Sequence, residues 1–291
     1  GVADGGRALD GGSVESLPCL GGLSNLEDVL VNHDVDTVAL SFTNTDRYVF
    51  FGALDACYRH GVTAKVHREH ADSVLIQSDA EAGELVEVDL APWDWQDHVL
   101  KRAFDVAFAG SVLLVVAPLL AVVALAIRLD SPGPGFYAQE RTATFGETFT
   151  VYKFRTMLPD SADPDPADDE EMDRITRVGR VLRKTHLDEL PQLWAVLTGT
   201  MSVVGPRAAW TEEENRIEGE AVEWRKRWFV KPGMTGLAQI HDVKSTRPGL
   251  KLKYDIQYIR QQRFWFDLMI VVRQVWKVLS DTVDIARRVR S

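Results

Sequence analysis

An adjacent pair of carboxylates, with cations approaching it from several other segments, is the feature of this sequence best suited to chemistry. The pair is Asp188-Glu189, within His186-Leu-Asp-Glu-Leu-Pro-Gln-Leu-Trp194. Pro191 fits the first turn of a helix better than any later position. That predicts both carboxylates at a helix N-terminus, where outward N–H groups favour anions. Successive helical residues diverge by about 100°, so the two side chains take different neighbours. One can face a phosphorus atom while the other turns to a metal ion or a proton. An isolated Asp-Glu pair is most simply a helix cap. Here Lys153, Arg155, Arg183 and Arg207 flank it in sequence. A carboxylate among such cations stays ionised and can approach a phosphoryl group that they neutralise. A surface salt-bridge network is the plainer alternative.

Several elements must position these groups. Phe149-Thr-Val-Tyr-Lys-Phe-Arg155 alternates like a strand and ends in cations, delivering Lys153 and Arg155. Arg174, Arg177, Arg180 and Arg183 recur every three residues, near one helical stripe that is either solvated or phosphate-facing. Upstream, residues 106–127 carry no charge. About 20 apolar residues suffice to span a bilayer, yet Pro118 near the middle removes an N–H and kinks a helix. A straight span, a re-entrant helix with both ends at one interface and a buried core helix all remain open on these residues alone.

The first part of the chain has a different character. Residues 1–98 hold 18 acidic and 5 basic side chains, and residues 99–291 hold 25 and 28. Eight of those 25 acids fall in 160–173, which reads as a solvated acidic loop on a basic body. A basic body suits phosphates, nucleic acid or an anionic membrane. Residues 25–31 read as a helix, 35–42 as a buried strand, 46–60 as a helix ended by Gly61, and 62–66 as a second strand. This is a βαβ unit with a parallel pairing. No GxGxxG turn follows a strand, so dinucleotide binding is not indicated. Cys19 and Cys57 make neither a disulfide framework nor a zinc site.

The stretch from residue 101 to about 279 resembles the bacterial sugar transferase family, the monotopic polyprenyl-phosphate phosphoglycosyl transferases. Its motifs, in order, are Lys101-Arg-Ala-Phe-Asp105, Leu129-Asp-Ser-Pro-Gly-Pro134, Gln139-Glu-Arg141, Tyr152-Lys-Phe-Arg-Thr-Met157, Thr176-Arg-Val-Gly-Arg180, Leu187-Asp-Glu-Leu-Pro-Gln192, Met201-Ser-Val-Val-Gly-Pro-Arg207 and Lys231-Pro-Gly-Met-Thr-Gly-Leu-Ala-Gln239. Each is weak alone; eight in series are specific. The sequence departs from the usual pattern at His186, Thr200, Ala208 and 241–244. The acidic first part resembles the end of the accessory domain of longer members.

The resemblance implies an α/β accessory domain and linker over 1–98, Rossmann-like and incomplete. It implies a mixed α+β catalytic domain over 99–284, with a proline-kinked re-entrant membrane helix and interfacial amphipathic helices, and a basic tail over 285–291. The implied reaction moves a sugar-1-phosphate from a nucleotide-diphosphate sugar, a UDP-sugar by expectation, to a polyprenyl or dolichyl phosphate, releasing UMP. Asp188 is the implied nucleophile, forming a covalent aspartyl phospho-sugar intermediate, with Glu189 as Mg²⁺ ligand. Arg141, Lys153, Arg155, Arg183, Arg207 and Gln239 are the implied substrate and phosphate contacts. Pro118, Trp265 and Phe266 are the implied membrane residues. Expected partners are the nucleotide sugar, polyprenyl phosphate and membrane lipids, not nucleic acid, and a homodimer is compatible. The expected location is the cell membrane with the catalytic domain on the cytoplasmic face, at the first membrane step of polysaccharide or glycoconjugate assembly. A non-catalytic membrane scaffold or sensor on the same fold is the alternative, disfavoured by the intact Asp188-Glu189 pair.

Overall fold

The computed structural model describes residues 20, 22–42, 46–77, 83–92, 95–158, 174–243 and 246–290. The acidic run at 160–173 and Cys19 lie outside the described residues. The chain divides into two compact units.

The first unit takes in the described residues up to Pro92, together with Phe145–Glu147 and Ala221–Phe229. Its elements are α1 (Leu26–Asn32), β1 (Thr37–Leu40), α2 (Arg47–His60), β2 (Thr63–His67) and β3 (Leu85–Glu87). β1 and β2 pair in parallel, Val38 opposite Ala64, and β3 joins the other edge of β2 antiparallel. α2 begins where the Asp46 carboxylate accepts the Tyr48 and Val49 N–H groups at 2.9 and 3.2 Å, satisfying two orphan donors. It ends at Gly61, whose φ of 66° is the left-handed cap that glycine adopts without strain. Its inner face is Phe50, Phe51, Leu54 and Cys57, all buried, whereas Val49 faces outward. The two later segments complete this core. Phe51 meets Trp228 edge-on with ring centroids 4.9 Å apart, and Phe145 meets Phe229 at 5.6 Å. Such pairs add about 0.5–1.5 kcal/mol each beyond area burial.

The second unit opens with α3 (Trp95–Asp130), followed by the antiparallel hairpin of β4 (Phe136–Thr142) and β5 (Thr148–Phe154). Then come α4 (Arg177–Thr185), a 3-10 segment (Leu187–Gln192), α5 (Leu193–Thr198), β6 (Ser202–Val204) and α6 (Thr211–Glu220). β7 (Gly233–Thr235), α7 (Leu237–Ile240), α8 (Pro248–Gln261) and α9 (Phe264–Arg290) close it. β6 and β7 pair in parallel, Ser202 opposite Gly233. Here glycine is required. A Cβ on Gly233 would stand 2.0 Å from the Gly205 nitrogen, and one on Gly236 2.3 Å from the Gly205 oxygen. The Met201–Arg207 and Lys231–Gln239 motifs are thus two backbones in direct contact. A second contact of this kind puts Gly179, in the first turn of α4, where a Cβ would lie 2.1 Å from the Thr156 carbonyl oxygen.

α3 has 36 residues and is long and apolar enough to cross a membrane. At 1.5 Å per residue it measures about 54 Å. Leu114, Val115, Val122 and Leu125 are exposed on it, a surface that water does not favour. The helix continues through Pro118, whose ring removes one backbone N–H and leaves a carbonyl of the preceding turn without its usual partner. α9 likewise exposes Trp265, Val272 and Trp276.

Candidate active site

Asp188 and Glu189 lie in the first turn of the 3-10 segment, just after His186. His186 adopts φ 57°, the left-handed conformation that ends α4, and the 3-10 run starts directly from it. Pro191 sits inside that run, before α5, so the carboxylates precede the α-helix by a full tight turn. Lys153, near the end of β5, donates from Nζ to Glu189 Oε1 at 3.1 Å. Arg207 follows β6 and the Gly205-Pro206 turn. Its Nη1 donates to Glu189 Oε2 at 3.2 Å and its Nη2 to Oε1, a two-pronged grip that suits the planar guanidinium. Glu189 is only 16% exposed. Asp188 forms no ion pair among the described residues, so the adjacent carboxylates differ in kind.

The electrostatics follow. Burial pushes the Glu189 carboxyl up, but the Arg207 and Lys153 charges and hydrogen bonds together outweigh it and hold it well below the usual carboxylate range. Asp188 is raised instead, by burial and by the Glu189 charge, against a smaller opposing pull from Lys153. Burial lowers Lys153, with the Arg207 and Arg141 charges adding to it and Glu189 opposing. Arg141 is brought down to about 10 by burial and by Arg207. The Glu189 charge raises Arg207. The result is a buried cluster of three cations around a dyad, one carboxylate ion-paired and the other not among the described residues. Cations in this arrangement can neutralise the oxygens of an anion beside a carboxylate.

The structure brings Asp188, Glu189, Lys153, Arg207 and Arg141 together and places the other expected residues elsewhere. Arg141, on β4, donates to the Ala208 carbonyl and to Gln139 Oε1. Arg155 lies just beyond β5, and its guanidinium is taken up by the Pro132 carbonyl at 2.6 Å and by Ser131 at 2.9 Å. It ties the turn after α3 to the hairpin. Arg183 donates from Nε to Thr156 Oγ1 at 3.0 Å. Arg177 and Arg180 point to solvent from α4, and Arg174 precedes that helix. Gln239 donates to the Met234 carbonyl at 3.0 Å, bracing the β7–α7 corner. Trp265 is exposed on α9, whereas Phe266 is half-buried and stacked on Tyr258.

Sequence reasoning missed other residues. Glu213, in the first turn of α6, lies near enough for its charge to act on both Arg141 and Arg207. Nothing in a run of three glutamates singles it out. Lys101 and Asp105 are both buried at the base of α3. Their spacing of four puts them on one helical face directly before the apolar run, a signal that was available. Asp105 accepts from Ser202 Oγ and the Val203 N–H, each at 3.0 Å. Arg102, between them, donates to the Val196 and Leu197 carbonyls at 2.6 Å each, capping the end of α5.

Among the described residues no three His, Cys, Asp or Glu side chains form a metal cage. Two neighbouring carboxylates do fit Mg²⁺, which takes one or two of them and fills its shell with phosphate oxygens and water. Asp188 forms no ion pair among the described residues, and Glu189 Oε2, which accepts from Arg207, has a second lone pair.

Residues 96–281 match the family model described as bacterial sugar transferase. A UDP-glucose:undecaprenyl-phosphate glucose-1-phosphate transferase of Xanthomonas campestris pv. campestris is 32% identical over 278 residues, covering 91% of this chain and 57% of that protein. A protein with the same activity in its name, from Caulobacter vibrioides, is 41% identical over 62% of this chain and 70% of its own length. The exopolysaccharide production protein PSS of Rhizobium leguminosarum bv. phaseoli is 43% identical over 63% of this chain and 97% of its own. The chain thus spans little more than half of the Xanthomonas relative. With well over half of its length matched, and the Asp-Glu dyad inside the match, the chain belongs to the bacterial sugar transferase family.

Proposed function

We propose that this protein is a phosphoglycosyl transferase that moves a sugar-1-phosphate from a UDP-sugar to undecaprenyl or a related polyprenyl phosphate, releasing UMP. The observation that carries the reading is the asymmetric dyad: Glu189 is held by Arg207 and Lys153, and Asp188 beside it forms no ion pair among the described residues. A partly desolvated carboxylate next to a cluster of cations is a competent nucleophile toward phosphorus. In the first step an Asp188 oxygen bonds to the β-phosphorus, the bond from that phosphorus to the bridging oxygen breaks, and UMP leaves with the electron pair. In the second, a phosphate oxygen of the polyprenyl phosphate attacks the same phosphorus and the Asp188 carboxylate is released unchanged. Arg207, Lys153 and Arg141 hold the phosphate oxygens. Glu189 would hold Mg²⁺, which when bound would supply further neutralisation of phosphate charge. The names of the relatives support both substrates.

The exposed apolar surfaces of α3 and α9 support a membrane location, where the lipid acceptor resides. In this reading α3 enters the bilayer, bends at Pro118 and returns to the same, cytoplasmic side, with α9 lying in the interface. Residues 1–98 serve as an accessory domain and 99–284 as the catalytic one, ending in a basic tail.

The test is a panel of UDP-sugars with undecaprenyl phosphate in detergent or nanodiscs, following UMP release and the mass of the intact protein. The wild type should release UMP only with Mg²⁺ present and gain the mass of a phospho-sugar when the acceptor is withheld. Asp188→Asn should do neither. A fully active Asp188→Asn variant overturns the assignment, and metal-independent release removes Mg²⁺ from it.

A further inference from the structure

We infer that Lys101, Asp267 and Tyr258 are positioning residues that set the seat of Arg207 by holding the Val204 carbonyl. The inference rests on the proposed transferase reading for its catalytic consequence. Its geometry is independent of that reading.

Val204 is the last residue of β6, and only Gly205 and Pro206 separate it from Arg207. Its carbonyl oxygen accepts from Lys101 Nζ at 2.9 Å and lies 3.0 Å from the Tyr258 hydroxyl. Lys101 is paired with Asp267 Oδ2, and the Tyr258 hydroxyl lies 2.9 Å from Asp267 Oδ1. Asp267 is 2% exposed and Tyr258 1%, so the ion pair is shut away from water. That hydroxyl has one proton for two acceptors, so Lys101 is the constant donor to the carbonyl and tyrosine the alternating one. One residue earlier, Asp105 holds the Val203 N–H, and one residue later the Gly205 N–H donates to the Thr235 carbonyl at 2.9 Å. The 202–203 peptide is therefore fixed from α3, and both ends of the 204–205 peptide from α3, α8, α9 and β7, immediately before the turn that presents Arg207. A buried charged cluster is a poor way to gain stability, since apolar residues of similar volume do as well or better. It is a good way to fix one oxygen in one place. The grip of Arg207 on Glu189 depends on angles and distances that weaken steeply when displaced. A small drift of this strand end therefore reaches the dyad.

The experiment uses the full chain. Tyr258→Phe removes one hydroxyl. The double variant Lys101→Met/Asp267→Leu removes the ion pair without leaving a lone buried charge. Ile259→Val, at the neighbouring buried position, controls for lost packing. With UDP-sugar and polyprenyl phosphate, kcat should fall about tenfold or more in the first two variants, while the donor KM stays within about twofold. The ¹⁵N–¹H signals of the Arg207 guanidinium, restrained by Glu189 in the wild type, should shift or broaden in the same two variants and not in Ile259→Val. If both variants keep the Arg207 signals and kcat of the control, the positioning role is overturned. If the wild type turns over no sugar donor, the functional reading fails, and the Arg207 signals alone still decide the positioning claim.

Discussion

Arg207 grips Glu189 through both terminal nitrogens, while Asp188, one residue earlier, forms no ion pair among the described residues. Two carboxylates adjacent in sequence have thereby been given opposite electrostatic fates. The difference comes from position. The tight 3-10 turn brings Glu189 into hydrogen-bond reach of Lys153 and Arg207, whereas Asp188 feels the Lys153 charge without a hydrogen bond to it.

Glu189→Gln should test that division. It keeps an oxygen for Lys153 and Arg207 but removes the charge that compensates them, at a cost of about 2–3 kcal/mol for a pair this buried. Turnover should fall about 100-fold or more, because the cations proposed to bind phosphate lose their fixed geometry. Denaturant unfolding and UMP release measure the two effects, and a variant matching the wild type in both would remove Glu189 from the site.

The pH dependence follows from the two directions. Glu189 is depressed in the folded state, so the stability of its ion pairs is present above the ordinary glutamate value of 4.5 and lost only as pH falls through the depressed one. The ion pairs should therefore survive mild acid. Asp188 is raised above its ordinary 3.8, and in the proposed role of nucleophile it must be ionised, so kcat should begin to fall at a pH above that value. Glu189→Gln removes one of the two causes that raise Asp188, and the acid limb of its residual activity should move down. An acid limb that stays in place would mean that another group governs it.

Gly233→Ala should be more damaging than its size implies. The new methyl would lie 2.0 Å from the Gly205 nitrogen, and backbone on both sides leaves nothing flexible to yield. Overpacking of this kind costs about 3 kcal/mol, a Tm lower by roughly 6–12 °C. Gly219→Ala, where a Cβ meets nothing within 4 Å, is the matched control. Thermal melts of the two variants should differ by most of that amount.

The membrane arrangement has its own test. Accessible cysteines introduced on either side of residues 106–127 should react with an impermeant reagent from the same side of the membrane. Labelling from opposite sides would make α3 a straight span, which its length of 36 residues allows.

Much of this was legible in the sequence, for identifiable reasons. The α2 helix, the Gly61 stop and the parallel strands around it follow from local signals that tertiary contacts reinforced. Lys153 and Arg207 could be placed near the dyad because their motifs occur in series with it. Arg155 shows where that reasoning ends. It is as cationic as Lys153 and two residues away, but the strand stops at Phe154 and the side chain turns to the Ser131-Pro132 turn. Which of several arginines meets a carboxylate depends on where each backbone leaves its element, and periodicity does not record that. The Lys101–Asp267 pair joins residues 166 apart, a separation that no local pattern spans.

The first unit is assembled from three stretches of chain, two of them short and far downstream. Trp228 and Phe229 therefore find their packing partners among residues such as Phe51. Severing the polypeptide after Pro92 does not liberate a tidy module; it strands two large rings in water and hollows the core they filled. Anyone trimming the gene must rewrite Phe145–Glu147 and Ala221–Phe229 along with the leading segment.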